Sequence, residues 1–285
     1  MKIYDCINFF NELDILEIRL NILYNYVDYF VIVESDKTHA GNNKPFYLEE
    51  NKKRFEKFSD KIISYKVLDN PERFDNLDPN DVEDPELAKI YQYINNQTTR
   101  FNRQTQPDYG RDFFQKESIK RPLIGCNDED IIIVSDADEI PNPLVLEKLK
   151  YLDLDSDMYS LKQNMYCYYL NMLKDPNWYG SKISKYKNIK NLSINELRGD
   201  PSLTTIIANG GWHFSFMGGE EMVKKKITSY SARDLVNDHI LSSISKNIES
   251  GVDVFFRDTM TLVDIDGTYP EYIINNLKKY KWMIK

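Results

Sequence analysis

The sequence contains no apolar run long enough for a signal peptide or a membrane-spanning helix. It is also poor in cysteine. Cys6, Cys126 and Cys167 show no C-x-x-C spacing, and their odd number favours reduced thiols over a disulfide framework. We therefore expect a soluble protein, in the cytoplasm or a similarly reducing environment, without a signal peptide or membrane anchor in this chain.

The chain also lacks a basic stripe. Its 45 acidic side chains outnumber its 37 Lys and Arg, which gives a formal net charge of −8. We therefore expect no nucleic-acid partner. Aromatic residues are abundant instead, with 20 Tyr and 14 Phe. Most of them must serve ordinary packing, but the surplus suits a cleft that stacks on rings or sugars.

The first half of the chain alternates strand-like and helical patterns. Residues 3–10 predict a strand, and apolar positions at helical spacing over 15–26 predict the helix that follows it. Residues 29–33 are a second buried apolar run, and 62–67 predict a third strand. A strand, a helix and a parallel strand imply a right-handed crossover. The remaining predicted elements are a helix at 48–58, an irregular segment at 69–106 with a short helix at 86–93, and a helix at 111–123.

A cluster of acids follows the apolar run 130–134, which predicts a strand buried on both faces. We call Ser135-Asp136-Ala137-Asp138-Glu139 the acidic loop. Clustered buried carboxylates need a neutralising partner. Asp-x-Asp places two carboxylates on one side of an extended backbone, so both can reach one hard cation that also grips a diphosphate. This order of strand, acidic tip, turn and helix is typical of metal-dependent transferases that use nucleotide sugars; the alternative is that the acids cap the next helix.

The second half of the chain has a different pattern of predicted elements. It predicts antiparallel strands near 159–169, 204–208 and 212–216, followed by helices at 220–230 and 233–249. We therefore predict a single α/β catalytic domain over residues 1–285. Its nucleotide-binding half covers 1–140 and its acceptor-side half covers 141–285.

Several ordered blocks stand out along the chain, at residues 3–6, 9–20, 27–35 with Thr38, 111–115, 132–141 and 211–219. Together they resemble glycosyltransferase family 17, the transferases that add the bisecting N-acetylglucosamine to N-glycans. The resemblance implies a GT-A-like fold, with a mixed, mainly parallel sheet flanked by helices. It also implies a UDP-sugar donor such as UDP-GlcNAc, a glycan acceptor, a divalent metal, usually Mn²⁺, and inverting transfer that leaves a β linkage.

The predicted metal site combines the acidic loop with a histidine. Asp136 and Asp138 are the metal and diphosphate pair, and their oxygen ligands suit Mn²⁺ or Mg²⁺. His213 faces away from Trp212 and Phe214 in an alternating strand, and we predict it as a third ligand. The alternative is an ordinary core histidine.

Donor binding is expected at the carboxyl ends of the early strands, where parallel α/β sheets place their ligands. Glu34 ends a buried strand and is predicted to contact uracil or ribose. Arg111 and Gln115 lie one helical turn apart and could reach the nucleotide, although a solvated helix face is the alternative. Helix capping would by itself explain Asn11. The full predicted donor set is Asn8, Phe9, Asn11, Glu12, Glu34, Ser35, Thr38, Arg111, Gln115, Asp136, Ala137 and Asp138.

An inverting transfer needs a carboxylate base on the acceptor side of the sugar. Glu220 and Glu221, just after a glycine pair, and Asp200 are the predicted catalytic residues. The alternative for Glu220 is a favourable position in the first turn of a helix. Trp178, Tyr179 and Trp212 are predicted to stack on acceptor sugars.

Two other functions remain open at the level of sequence. A nucleotidyltransferase acting on activated sugars typically carries a glycine- and basic-rich loop after its first strand, whereas Asn8-Phe9-Phe10-Asn11 stands here. A glycan-binding relative without catalysis is the second alternative. The intact Asp136 and Asp138 argue against it.

Overall fold

The computed structural model describes residues 1–152, 154–155, 157–199 and 204–285, and for residue 150 the backbone only. Within these residues, ten strands join in one mixed sheet with helices around it. The predicted mixed α/β architecture is confirmed. None of the helices in the described ranges is long and apolar enough to cross a membrane.

The first half of the chain supplies four parallel strands. They are β1 (Ile3–Asn8), β2 (Tyr29–Ser35), β3 (Ile62–Val67) and β4 (Ile131–Asp136), in the spatial order β4-β1-β2-β3. Helix α1 (Leu13–Leu23) makes the predicted crossover from β1 to β2. The carboxyl ends of β1, β2 and β4 therefore meet at one edge of the sheet.

Helices of the first half differ in length from their predicted ranges. Helix α2 covers only Tyr47–Glu50, with a short 3₁₀ turn at Glu56–Phe58 in place of the predicted helix over 48–58. Helix α3 (Pro85–Asn96) confirms the predicted short helix, and α4 (Pro107–Glu117) begins earlier than predicted and continues as a 3₁₀ helix. Pro85 and Pro107 each stand in the first turn, where a missing N–H does no harm.

The second half adds strands mostly antiparallel to their neighbours. The strands are β5 (Glu139–Pro141), β6 (Tyr159–Cys167), β7 (Met172–Trp178), β8 (Lys182–Lys185), β9 (Thr205–Ser215) and β10 (Thr261–Leu262). Strand β8 pairs with β4, β6 pairs with β8 and β7, and β10 lies at the far edge. The helices are α5 (Pro143–Leu146), α6 (Tyr186–Ile189), α7 (Ile194–Gly199), α8 (Gly219–Ser229), α9 (Asp238–Ser250) and α10 (Glu271–Asn275).

Strand β9 corrects the prediction for residues 204–216. One continuous strand replaces the two predicted ones, and it runs parallel to β6 while pairing antiparallel with β5. Asn209 and Gly211 have positive φ angles of 52° and 136° inside this strand. The backbone irregularity at these residues shifts the register with β6. It lies between the two predicted strands, 204–208 and 212–216, which it interrupts without ending β9.

The core lies on both faces of the sheet. Ile131 and Ile133 of β4 belong to the cluster on one face, and Ile132 and Val134 belong to the cluster on the other. All four are at most 1% exposed. The prediction of a strand buried on both faces is confirmed, and the acidic loop thus emerges from the centre of the molecule.

Candidate active site

The acidic loop joins β4 to β5 at the edge of the sheet where the parallel strands end. Asp136 is the last residue of β4, and Glu139 is the first of β5. Because β5 pairs with β9, Glu139 lies opposite His213, and the Phe214 amide donates to the Asp138 carbonyl at 2.8 Å. Two segments about 75 residues apart in sequence are therefore brought together by one short strand pair.

A buried ion pair holds the backbone of the acidic loop. Arg19 of α1 is fully buried and pairs with both carboxylate oxygens of Asp5 in β1. Its remaining N–H groups donate to the carbonyl oxygens of Asp136 at 3.1 Å and Glu139 at 2.6 Å, and to the hydroxyl of Ser135 at 2.6 Å. The sequence analysis assigned no role to Arg19 or Asp5. An arginine within the apolar stripe of a helix nevertheless indicates a buried, paired charge.

Both aspartates of the acidic loop are paired with basic side chains. Arg198 of α7 makes a two-pronged contact with Asp136, at 2.9 and 2.8 Å, and also reaches Glu139 at 3.0 Å. Lys226 of α8 donates to Asp138 at 2.7 Å. The chain therefore supplies two cations of its own, which offset the repulsion between Asp136 and Asp138.

The electrostatics of the loop follow from these pairs. Burial acts to raise the pKa of both aspartates, because it disfavours the charged form. Arg198 nevertheless lowers the pKa of Asp136, and Lys226 with His213 holds the pKa of Asp138 well below its usual range. Burial acts to lower the pKa of Lys226, but Asp138 raises it overall. The pairs are therefore charged at neutral pH.

His213 meets Asp138 but is not fully hydrogen-bonded. Its Nε2 lies 3.4 Å from Asp138 Oδ1, and its ring packs on Trp178 with 4.7 Å between centroids. Its Nδ1 is buried and finds no hydrogen-bond partner among the described residues. The Trp178 indole N–H donates to Glu139 at 2.7 Å, and Gly180 leaves room for that carboxylate, since a Cβ there would lie 1.8 Å from Glu139 Oε1.

The predicted metal ligands are only partly assembled. The oxygens of Asp138 and the imidazole of His213 face each other and suit Mn²⁺ or Mg²⁺. Asp136 instead points both oxygens at Arg198. Within the described parts of the chain, no three His, Cys, Asp or Glu side chains converge as a metal site. Binding of an ion by all three residues would require Asp136 to exchange Arg198 for it.

Arg198 is held in place by the helix that carries it. Glu117 at the end of α4 is fully buried and accepts hydrogen bonds from the amides of Ile194 and Asn195, both at 3.0 Å. It also accepts from the hydroxyl of Ser193 at 2.5 Å. These contacts satisfy the free N–H groups at the start of α7. Neither Arg198 nor Glu117 was identified from the sequence.

Glu34 has a structural role that the sequence did not reveal. It is 2% exposed, and its carboxylate accepts hydrogen bonds from the amides of Tyr47 and Leu48 at the start of α2. Lys44 donates to the same group at 2.8 Å. Burial raises the pKa of Glu34, and Lys44 opposes this effect. Helix capping and the ion pair with Lys44 thus explain why Glu34 is buried. Its contact with uracil or ribose stays a prediction.

Other predicted donor residues hold the loop after β2 in place. Arg111 donates to the His39 carbonyl at 2.6 Å, and Gln115 donates to the Lys37 carbonyl at 3.1 Å. Thr38 accepts from the Asn42 amide within the loop itself. Ser35 accepts from the Lys37 amide, and the Asn8 side chain donates to the Gln115 carbonyl. The predicted alternative of a solvated helix face is wrong for Arg111 and Gln115, which are buried.

The residues after β1 reach the acidic loop from another side. Glu12 Oε1 lies 3.5 Å from Lys226 Nζ, so Lys226 stands between Glu12 and Asp138. Asn11 is 7% exposed, and its Nδ2 is buried without a hydrogen-bond partner in the described ranges. Its side chain makes no cap contact with α1. Phe9 packs in the core instead of lining the site.

The predicted catalytic acids are not drawn to the acidic loop. Glu220 and Glu221 are exposed in the first turn of α8, after Gly218 with a φ of 107°. Their position fits the helix-dipole explanation. Asp200 lies outside the described residues.

The predicted acceptor residues have separate outcomes. Trp178 and Tyr179 are half-buried next to the acidic loop. Trp212 is corrected: it is 6% exposed, belongs to the core and donates its indole N–H to the Thr268 carbonyl at 3.1 Å. A ring buried in this way has no face left for a sugar.

The sequence profile of glycosyltransferase family 17 matches residues 1–100 and 86–285, which together span the whole chain. With the mixed α/β fold and the acidic loop at the edge of its parallel strands, this match places the protein in a family of glycosyltransferases. The chain belongs to glycosyltransferase family 17.

Over 142 residues, or 49% of this chain, it is 28% identical to the β-1,4-mannosyl-glycoprotein 4-β-N-acetylglucosaminyltransferases of Rattus norvegicus and Homo sapiens. The match spans only 22% of the length of those relatives. Among solved structures, S. aureus TarS 1–349 has a TM-score of 0.39 at 10% identity, over 88% of this chain and 71% of that chain. The mannose-6-phosphate isomerase of Helicobacter pylori has a TM-score of 0.33 at 10% identity, over 93% and 87%. Neither structural similarity is close enough to carry information about function.

Proposed function

We propose that this chain is an inverting, metal-dependent glycosyltransferase that moves N-acetylglucosamine from UDP-GlcNAc to a glycan acceptor with a β linkage. The observation that carries the proposal is the acidic loop, in which Asp136 and Asp138 stand at the edge of the parallel strands beside two basic side chains. The donor sugar follows the names of the curated relatives, which are N-acetylglucosaminyltransferases.

The residues proposed to hold the metal are Asp138 and His213, joined by Asp136 when it leaves Arg198. A bound Mn²⁺ or Mg²⁺ would neutralise charge on the departing diphosphate. Arg198 and Lys226 carry fixed positive charge at the same place. Once exchanged from the aspartates, both can pair with phosphate oxygens, and Arg198 offers the planar two-pronged geometry that suits them.

The proposed reaction is a single displacement at the anomeric carbon. An acceptor hydroxyl oxygen forms the new bond to that carbon and gives its proton to a carboxylate base. The bond between the carbon and the diphosphate oxygen breaks, and UDP leaves with the electron pair. Arg19 keeps the acidic loop rigid through this exchange, because it is hydrogen-bonded to four groups of the loop and to Asp5.

The product of the reaction tests the proposal. Incubation with UDP-GlcNAc, Mn²⁺ and a panel of glycan acceptors should yield a β-linked product, read by NMR from the coupling of the new anomeric proton. An α-linked product from this α-linked donor would contradict the inverting mechanism. Transfer from another UDP-sugar in preference to UDP-GlcNAc would contradict the donor assignment alone.

A further inference from the structure

A cavity of about 230 Å³ lies next to Lys226, the partner of Asp138. It is formed by the start of α1, the turn between β9 and α8, and the last residues of the chain. Its walls include Asn11, Glu12, Phe216, Met217, Lys226 and Trp282.

The polar wall of the cavity contains a charged acceptor and a charged donor. Glu12 and Lys226 both line it, with 18% and 24% of their side chains exposed, and Glu12 Oε1 lies 3.5 Å from Lys226 Nζ. Because both groups keep some exposure, each can still hydrogen-bond a hydroxyl group of a ligand.

The cavity also has an aromatic and apolar lining. Trp282 is 52% exposed, which is unusual for so large an apolar ring, and it lines the cavity together with Met217 and Met222. A sugar ring has an apolar C–H face and a rim of hydroxyl groups. A cavity lined by an exposed indole, a carboxylate and an ammonium group has partners for both.

We propose that this cavity binds a hexopyranose ring, with Trp282 as the stacking surface and Glu12 and Lys226 as the groups that hydrogen-bond its hydroxyls. The proposal rests on the proposed transferase function, and it replaces Trp212 as the aromatic acceptor contact. The ring belongs to the acceptor, because Lys226 separates Glu12 from Asp138. The alternative occupant with the same chemistry is the sugar ring of the donor.

The test compares wild type with Trp282→Ala and Trp282→Phe in two titrations. In the first, saturation-transfer NMR follows methyl glycosides of glucose, galactose, mannose and N-acetylglucosamine in the presence of UDP and Mn²⁺. At least one glycoside should bind wild type, bind Trp282→Ala about tenfold more weakly, and bind Trp282→Phe nearly as well as wild type. In the second, calorimetry compares UDP with UDP-GlcNAc.

Phe256→Ala is the matched control, because Phe256 is also an exposed aromatic residue, at 47%, and lines no part of this cavity. If Trp282→Ala weakens UDP-GlcNAc but not UDP, the ring in the cavity is the donor's sugar. If neither the glycosides nor UDP-GlcNAc distinguishes Trp282→Ala from wild type, or if no glycoside binds and UDP-GlcNAc binds like UDP, the proposal is overturned. Wild type that fails to bind UDP at all would instead overturn the proposed function.

Discussion

The two aspartates of the acidic loop meet solvent to different extents, with 6% of the Asp138 side chain exposed and 39% of the Asp136 side chain. An incoming ligand therefore reaches Asp136 first. Asp138 cannot lose Lys226 without another cation taking its place, because an unpaired buried charge is strongly destabilising. We expect donor binding to exchange these ion pairs, so that Arg198 and Lys226 turn from the aspartates to the diphosphate.

His213 is the residue at which the metal and core explanations differ most clearly. His213→Ala should weaken Mn²⁺ binding by roughly tenfold or more. Removing even a residue that only hydrogen-bonds to a metal ligand typically lowers metal affinity by that factor. The thermal midpoint without metal should fall only slightly, because the variant loses a 3.4 Å contact to Asp138, which Lys226 still pairs, and one ring contact with Trp178. The measurements are calorimetry with Mn²⁺ and thermal unfolding in chelator. A loss of several degrees in chelator would support the core-histidine alternative.

The base can be located by comparing isosteric variants. Glu12→Gln, Glu220→Gln and Glu221→Gln each remove a proton acceptor with little change in shape. We expect Glu12→Gln to lower kcat by roughly 10²–10⁴, because Glu12 lines the cavity beside Lys226 whereas the other two are exposed on α8. UDP affinity should change little in all three. Near-normal turnover of Glu12→Gln with a large loss in Glu220→Gln would restore the sequence-based assignment.

At the scale of secondary structure, apolar periodicity and charge in the sequence predicted the elements that such local patterns determine. The buried run at 131–134 and the acids after it identified β4 and the acidic loop, because apolar periodicity and charge are visible in the sequence. Arg198 could not be found in this way. Arg198 reaches Asp136 only because α7 packs against α4. The Arg198–Asp136 pair joins residues 62 positions apart in the sequence.

Helix α7 provides a test of how Arg198 is positioned. Glu117→Gln keeps the size of the side chain but removes an acceptor oxygen from the start of α7. We expect a loss of about 1–3 kcal/mol in unfolding free energy and weaker UDP binding, since Arg198 would be held less firmly on Asp136. Thermal unfolding and calorimetry measure the two effects. The control is Glu86→Gln, which changes a partly exposed acid paired with Lys89. Unchanged UDP affinity would limit Glu117 to a structural role.

At the scale of the whole molecule, Asp112 of α4 contacts the loop after β2 through His39 and the segment after α8 through Ser231. Burial acts to raise the pKa of Asp112, but Lys116 and His39 lower it to about 2. Ser231 donates to the same carboxylate at 3.2 Å. Since the unfolded value is about 3.9, Asp112 stabilises the fold fully above about pH 4. This contribution is lost as the pH falls through about 2.

We therefore expect Asp112→Asn to reduce the acid sensitivity of the fold. At neutral pH the variant should be less stable than wild type by about 2 kcal/mol. The difference should shrink as the pH is lowered from about 5 to about 2, where Asp112 becomes protonated. Urea unfolding at a series of pH values measures it. A difference that stays constant over this range would show that the carboxylate charge is not what stabilises the contact.

The order of the strands places the acidic loop at the edge of the sheet where the parallel strands end, and we propose that this edge binds a nucleotide diphosphate through a metal. Calorimetric titration with UDP tests it most directly, with Mn²⁺ or with chelator, on wild type, Asp138→Ala and the control Asp128→Ala at the opposite end of β4. We predict that chelator and Asp138→Ala each weaken UDP binding by about tenfold or more, while folding persists and Asp128→Ala binds normally. Unchanged UDP affinity of the wild type in chelator would contradict the metal bridge.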